Sequence, residues 1–288
     1  MLASFSWETF KLYRRPAVWV CIGLLLVLAI GLGYVALYLV YSYAPSGPNN
    51  GGLPRGLTLK DLKIGLYPLD FVKYTLSTWD TLGGVFALIL GVLSQGSEYG
   101  WGTIKTLYTQ HPGRIAMLVG KLGALSLAVI VLVVALFAVD LASSYVVASI
   151  DGKGTDLPAA VDILKGLGAG WLIFEFWAVF GFVLATLFRQ SALAIGLGLA
   201  YAIVIEGIIF RLVGNFGGDT VKQVLSYFPV ANTGYLSQSF GAAAPEALAR
   251  SVAKPFADAN HAVAVLLIYI AVFIVGSAVL VRTRDISS

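Results

Sequence analysis

The sequence predicts an all-α membrane protein, a single bundle of six transmembrane helices, and three observations carry that reading. Of the 288 residues, 58% are hydrophobic and only 12% are charged. The mean hydropathy is +0.86. A soluble domain carries about 25% charged residues, so this chain has too little polar surface to wrap a globule in water. Finally, six apolar stretches of the length needed to cross the ~30 Å hydrocarbon layer recur along the chain. A soluble enzyme, a disordered chain and a disulfide-stapled secreted module are excluded. The lone Cys21 lies in an apolar run, cannot form an intramolecular disulfide and reads as a small packed hydrophobe.

Residues 1–16 are too polar to span. Ser4, Glu8, Lys11 and Arg15 recur at helical spacing on one face, and Leu2, Phe5, Leu12 and Tyr13 fall on the other. This is the pattern of an interfacial elbow helix that ends where Pro16 opens the first span. The six-span bundle occupies residues 17–281, and residues 282–288 form a tail. The spans run from Ala17 to Tyr41, Tyr74 to Leu93, Val119 to Ala148, Gly166 to Phe188, Ala192 to Leu212 and His261 to Val281. The first is too long for a signal-peptide core and lacks a small-x-small cleavage site, so it is expected to be retained.

Six spans put both termini on one side. With the termini inside, the inner segments hold nine basic residues and the outer ones ten, but the outer set is spread over about twice the length and diluted by eight acids. The inner basics crowd the span ends: Arg14 and Arg15 before span one, Arg114 and Lys121 before span three, Arg189 after span four, Arg282 and Arg284 after span six. The expectation is a multi-pass protein with cytoplasmic N and C termini.

Between spans one and two, Pro45 to Gly56 is dense in Pro, Gly and Asn and reads as a mobile linker. The segment from Val213 to Asn260 is too long for a structureless loop. Val221, Val224, Leu225 and Phe228 sit at i, i+3, i+4 and i+7 ahead of Pro229, and a second short helix is expected from Pro245 to Ala253. Both would lie on or dip into the outer leaflet. Gly166 and Gly170, and Gly196 and Gly198, should let helices approach closely.

No catalytic constellation emerges. There is no HExxH, no GxSxG and no GxxxxGK[ST]; His111 and His261 read as surface residues that build neither a metal site nor an acid-base cluster. The chain is therefore expected to be neither an enzyme nor an ATP binder in its own right, with no metal. Four acids fall in or at the edge of spans. Asp80 and Asp140 lie near the outer boundary and are expected to reach water. Glu175 and Glu206 lie deepest, where an ionised carboxylate costs at least ~2.5 kcal/mol, so they should face the bundle interior or a wet cavity. Each is either part of a substrate path or a polar contact between helices.

The inner loop from Glu98 to Lys121, EYGWGTIKTLYTQHPGRIAMLVGK, is the most informative stretch. Thr103 to Gln110 reads as a short helix lying across the membrane and closed by Pro112 and Gly113. The loop resembles the membrane subunits of type-2 ABC transporters, the bacterial ABC exporter permeases. Their acidic residue, Gly-Thr-(Ile/Leu)-(Lys/Arg)-Thr-Leu run, arginine and Gly-Lys correspond here to Glu98, Gly102 to Leu107, Arg114, and Gly120 with Lys121. The amphipathic start, the six spans, the long segment before span six and the basic ending are similar too. The resemblance implies a permease working as a pair, with an identical copy or a sister chain, in a prokaryotic cytoplasmic membrane. Each copy would bind a separate ABC ATPase, two copies in all, which would carry the ATP and Mg. Thr103 to Gln110 would be the coupling helix, with Glu98, Gly102, Thr103, Lys105, Thr106 and Leu107 as ATPase contacts. No nucleic acid is implied.

The resemblance further implies outward movement of a hydrophobic or amphipathic substrate, such as a drug, a peptide antibiotic or a lipid, by alternating access. An alternative is an ion-gradient-driven transporter or channel using Glu175 and Glu206, although no internal repeat supports it. A non-transporting anchor that holds a partner at the membrane is a third reading.

Overall fold

The computed structural model describes residues 2–43, 58–100, 113–210, 212–213, 218–241, 243 and 256–283. Among these, every regular element is helical. Helix α1 is Leu2–Arg14, α2 is Pro16–Tyr43, α3 is Phe71–Gly100, α4 is Arg114–Ile150 and α5 is Ala160–Phe188. Next come α6, Ser191–Ala200, the short α7, Asp219–Leu225, then α8, Pro229–Gln238, and α9, Ala259–Thr283. Five of them are long and apolar enough to cross a membrane: α2, α3, α4, α5 and α9. The chain thus has the build of a multi-pass membrane protein. The expected linker at Pro45 to Gly56 lies outside the described residues, as does the helix expected from Pro245 to Ala253.

The centre of the bundle is the seam between α3 and α5. Lipid tails are as apolar as the helices, so close van der Waals contact must hold spans together. A Cβ at Gly181 would overlap the Leu88 carbonyl, and one at Gly91 would overlap that of Ala178. Gly84 lies under Trp177, and Gly83 under Phe174. Trp177, Phe176 and Phe182 are fully buried there. Gly166 packs against Val72 and Phe137, and Gly170 against Phe137 and Val133, as the sequence predicts. Gly198 meets Leu88, but Gly196 faces open space, so only one of that pair marks a close approach.

The expected division of α1 into two faces does not hold: Ser4 and Glu8 from the one are buried together with Leu12 from the other, while Trp7, Phe10 and Tyr13 are exposed. The turn at Ser4 and Phe5 lies on Gly120 and Gly123 of α4. The polar side can face inward because it finds partners there: Glu8 pairs with Lys11 at 2.6 Å. The Arg15 guanidinium donates to the Leu93 carbonyl at 2.8 Å. The aromatic side, with Trp7 stacked on Phe10 and Arg14 above the Phe10 ring, suits a membrane–water boundary.

Arg114, opening α4, donates to the Val281 and Arg282 carbonyls at 3.3 and 3.5 Å, a basic cap on the C-terminus of α9. Helix α1 and the end of α9 therefore lie at the same end of the bundle, the base. Ser191, opening α6, also sits at the base, against Gly96. Helix α9 starts at the opposite end, so the chain recrosses the bundle between α5 and α9. It does so in pieces: α6 runs into a π-helical stretch, Tyr201–Phe210, and α8 packs between α3 and α9. The sequence predicted one unbroken span from Ala192 to Leu212. The apolar helix there ends at Glu206 and falls short of the five long ones. Helix α7 falls where Val221, Val224 and Leu225 predicted it, and Pro229 then opens α8 at its first position, which the sequence reading did not foresee.

If the α3–α5 seam is held by backbone contact, one methyl group suffices to open it. Gly181→Ala is expected to destabilise the protein by about 1–3 kcal/mol. Gly168→Ala on the same helix, where a Cβ meets nothing, should instead stabilise by about 1 kcal/mol. Thermal unfolding of both variants in detergent checks the contrast; a neutral Gly181→Ala would show that the seam is not close-packed.

Candidate functional site

The residues predicted to contact an ATPase lie almost wholly outside the described chain. Gly102, Thr103, Lys105, Thr106 and Leu107 are outside it, and Glu98 is placed only as backbone in the last turn of α3. The flanks of that loop are placed. Arg114 caps α9, Gly120 admits α1, and Lys121 is buried in α4, so the loop springs from the junction of α1, α3, α4 and α9 at the base.

Glu206 has a structural partner. Its Oε2 accepts the backbone N–H groups of Val230 at 2.9 Å and Ala231 at 3.2 Å. These are the first free donors of α8, since Pro229 has no N–H, and an anion at a helix N-terminus also meets the positive end of the macrodipole. The Tyr201 hydroxyl donates to the same carboxylate. Glu206 thus pins α8 to the π-helical stretch. Glu175 lies on another side of α5, where Ser126 of α4 reaches its carboxylate while Oε2 has no partner. The structure does not bring the two acids together. The neighbouring Phe176 and Phe180 instead form an aromatic wall with Tyr201, Tyr269 and Phe273.

Asp140 corrects the sequence reading: it is completely buried, not solvated. Thr75 donates to its Oδ2 at 2.7 Å, and Oδ1 has no partner. The buried Trp79 indole N–H points to the same carboxylate, and the buried Tyr34 hydroxyl beside it has no hydrogen-bond partner. Tyr74 donates to the Gly33 carbonyl in a π-helical stretch of α2, Ala29–Ala36. Asp140 escaped notice because α4 continues to Ile150 and α3 begins at Phe71. The predicted boundary is therefore surrounded by protein. Asp80 is half-buried and accepts a bond from Ser237 of α8 at 3.3 Å. His261, expected at the surface, is half-buried with Nε2 3.0 Å from the Ser226 carbonyl; His111 lies outside the described residues.

The end opposite the base carries two concave features. One is a cleft of about 1140 Å³ between the first turns of α3, α5 and α9 and the end of α8. Its walls include Val72, Ala169, Leu172, Leu236 and Val263, and Lys73, Asp162 and Lys165 stand along it. The other is a cluster around Asp151, which follows α4. Asp151 accepts bonds from Lys63 at 2.8 Å, Tyr67 at 3.0 Å and Tyr38 at 3.1 Å. It ties the 3-10 helix Leu59–Leu66 to α2 and α4. Partial burial pushes the Asp151 carboxyl up, but the Lys63, Tyr67 and Tyr38 bonds outweigh it and hold the group below its usual range. Burial, then the bond to Asp151, pushes the Tyr67 hydroxyl up to about 12. Among the described residues, no three His, Cys, Asp or Glu side chains gather as metal ligands.

Long apolar helices and a segment that recrosses the bundle give the chain the build of a multi-pass membrane protein, with a wide cleft at one end. The chain belongs to the family described as "Protein of unknown function (DUF2705)", whose model matches residues 76–287. That range holds all four span acids and most of the cleft, and leaves out α1 and α2. No curated protein matches the chain.

Two outcomes test the polar anchors. Glu206→Ala strips the cap from α8 and should cost about 1–2 kcal/mol, with faster amide exchange at residues 230–238, whereas Glu206→Gln keeps one acceptor and loses less. Unchanged exchange in Glu206→Ala would refute the capping role. A carboxyl held low keeps its stabilising bonds at and above the usual carboxylate range and loses them as pH falls through its lowered value. Protection of residues 59–66 should accordingly collapse only in strong acid, and Asp151→Asn should weaken it at neutral pH and remove the acid-dependent loss.

Proposed function

We propose that the chain is the membrane-spanning permease subunit of an ATP-driven ABC exporter, moving a hydrophobic or amphipathic substrate outward by alternating access. The observation that carries this reading is the cleft of about 1140 Å³, larger than a drug-sized pocket and walled by apolar side chains. It opens at the end opposite the base, where the Glu98–Lys121 loop springs from α3 and α4. With the base cytoplasmic, an ATPase docked on that loop would drive a bundle whose far end releases substrate outside. The helical segment from Ser191 to Phe210, α passing into π, counts as the fifth of six spans. At about 1.5 Å per residue it reaches at most ~30 Å, the thickness of the hydrocarbon layer. Both termini then lie in the cytoplasm. ATP-driven closure would bias the bundle between two states only if the partner binds them differently.

An ion-driven transporter is the second reading, favoured by the unpartnered carboxylate oxygens of Asp140, Glu175 and Glu206. It predicts transport in pure vesicles from an ion gradient without ATP.

The exporter reading expects an ATPase subunit to accompany the protein purified in mild detergent from its own host, with measurable ATP hydrolysis. Reversing both charges, Glu98→Lys with Lys105→Glu, should strip the partner or its stimulation while the melting temperature of the permease holds. A chain that stays alone and inert after cross-linking in the membrane, or a double variant with full stimulated hydrolysis, would sink the proposal.

A further inference from the structure

The cleft opposite the base carries more information than its size. Its floor is apolar and closed: Val72, Ala169, Leu172 and Leu236 are all buried. One side is open, because Gly168 and Leu267 line the cleft and are both exposed, and Leu164 and Ile268 beside them are exposed too. In a membrane this side faces lipid tails. Along the rim stand two charges of opposite sign, Asp162 and Lys165, three residues apart on α5. Neither makes an ion pair with the other or with another described residue. Lys73, paired with Asp70 at 2.6 Å, adds a second ammonium group to the lining. The Trp171 indole Nε1, in a residue that lines the cleft, is buried without a partner.

An apolar slot open to the side, with a cation and an anion at its mouth that pair with no other described residue, suits an amphiphile whose head carries both signs of charge. We infer that the cleft binds a zwitterionic phospholipid taken laterally from the surrounding leaflet. An acyl chain lies along Val72, Ala169, Leu172 and Val263. The phosphate meets Lys165 with Lys73 behind it, and the head-group ammonium meets Asp162. Opposite charges in that order favour it over an uncharged lipid, which offers Lys165 and Asp162 no partner, and over a purely anionic one, which offers Asp162 none. The inference rests on the exporter reading only for the role of the site, which then becomes a substrate position facing the outer leaflet.

Gly168 offers a direct test, since a side chain there meets no protein atom and projects from the wall of the cleft. The purified full chain is titrated with fluorescent phosphatidylethanolamine and, in parallel, with diacylglycerol and phosphatidylglycerol bearing the same acyl chains. Saturable binding of about one phosphatidylethanolamine per chain is expected, at least about tenfold tighter than diacylglycerol and tighter than phosphatidylglycerol. Gly168→Phe should weaken it about tenfold by filling the slot. Lys165→Glu should weaken it comparably, and Asp162→Lys should turn the preference toward phosphatidylglycerol. Equal affinity for diacylglycerol, or binding unchanged in Gly168→Phe, overturns the inference. Selective lipid binding in a chain with no ATPase partner would leave the site standing and remove its exporter role. An ATPase-coupled chain without lipid selectivity would do the reverse.

Discussion

Close backbone contact between α3 and α5 is the constraint on which the remaining architecture depends. In a bilayer no hydrophobic force drives one helix against another, so the two must approach until their atoms touch. Four glycines of α3 and α5, Gly83, Gly84, Gly91 and Gly181, supply that approach, and the large rings of Phe174 and Trp177 fill the space they leave. Leu88 is the hinge of the arrangement: its carbonyl lies under Gly181, and its side chain meets Gly198 of α6. The position of α6, and with it the recrossing segment, follows from the same seam. Helix α9 shares much less buried surface and turns Leu267, Ile268, Val272, Val275 and Val279 outward. Its place is set by ring contacts of Tyr269 and Phe273 with Phe176 and Phe180 of α5, by the polar cap at the base and by α8 at the far end.

A second rule governs those caps. Inside a hydrocarbon layer each broken helix end must find its hydrogen bonds within the protein. The recrossing segment is interrupted between α6 and α9, and among the described residues several of its helix ends, like the end of α9, find such bonds. Glu206 serves the start of α8, Asn232 donates to the Ser226 and Phe228 carbonyls at 2.7 Å, and Arg114 serves the end of α9. These side chains are polar because the chain is interrupted there. An acid in an apolar stretch can therefore mark an unseen helix terminus as readily as a transport path.

Much of this was legible in the sequence. Length and hydropathy gave the five long helices, Gly166 and Gly170 gave a close contact, and Val221 to Leu225 gave α7. What failed has physical causes. The polar face of α1 was read as facing water, because periodicity separates two faces without saying which one finds partners; the Glu8–Lys11 pair and Arg15 on Leu93 decided it. Asp140 was placed by counting residues to a lipid boundary, although burial depends on neighbours. Pro229 was read as a stop, whereas it closes one short helix and starts the next. Glu175 and Glu206 were grouped by depth alone, and they address different helices.

The π-helical stretches show why the buried acids resisted sequence reading most. An i→i+5 turn is rare, has no hydrophobic period of its own and gathers at functional positions. Two lie among the described residues, and each lies beside a buried carboxylate. Tyr34 and Gly33 of the first meet the Asp140 neighbourhood through Tyr74 and Trp79. Glu206 belongs to the second. Gly33 has no room for a side chain between the Tyr74 hydroxyl, 3.0 Å from an added Cβ, and the Trp79 ring, 3.1 Å away. The wider turn thus brings backbone, not side chain, against α3, and leaves the Gly33 carbonyl to accept the Tyr74 hydroxyl. The second lone pair of that carbonyl is what the Tyr74 hydroxyl reaches, and it can do so because Gly33 brings no side chain between them. The irregular backbone and the polar cluster therefore meet at one residue, and neither is visible from composition or periodicity alone.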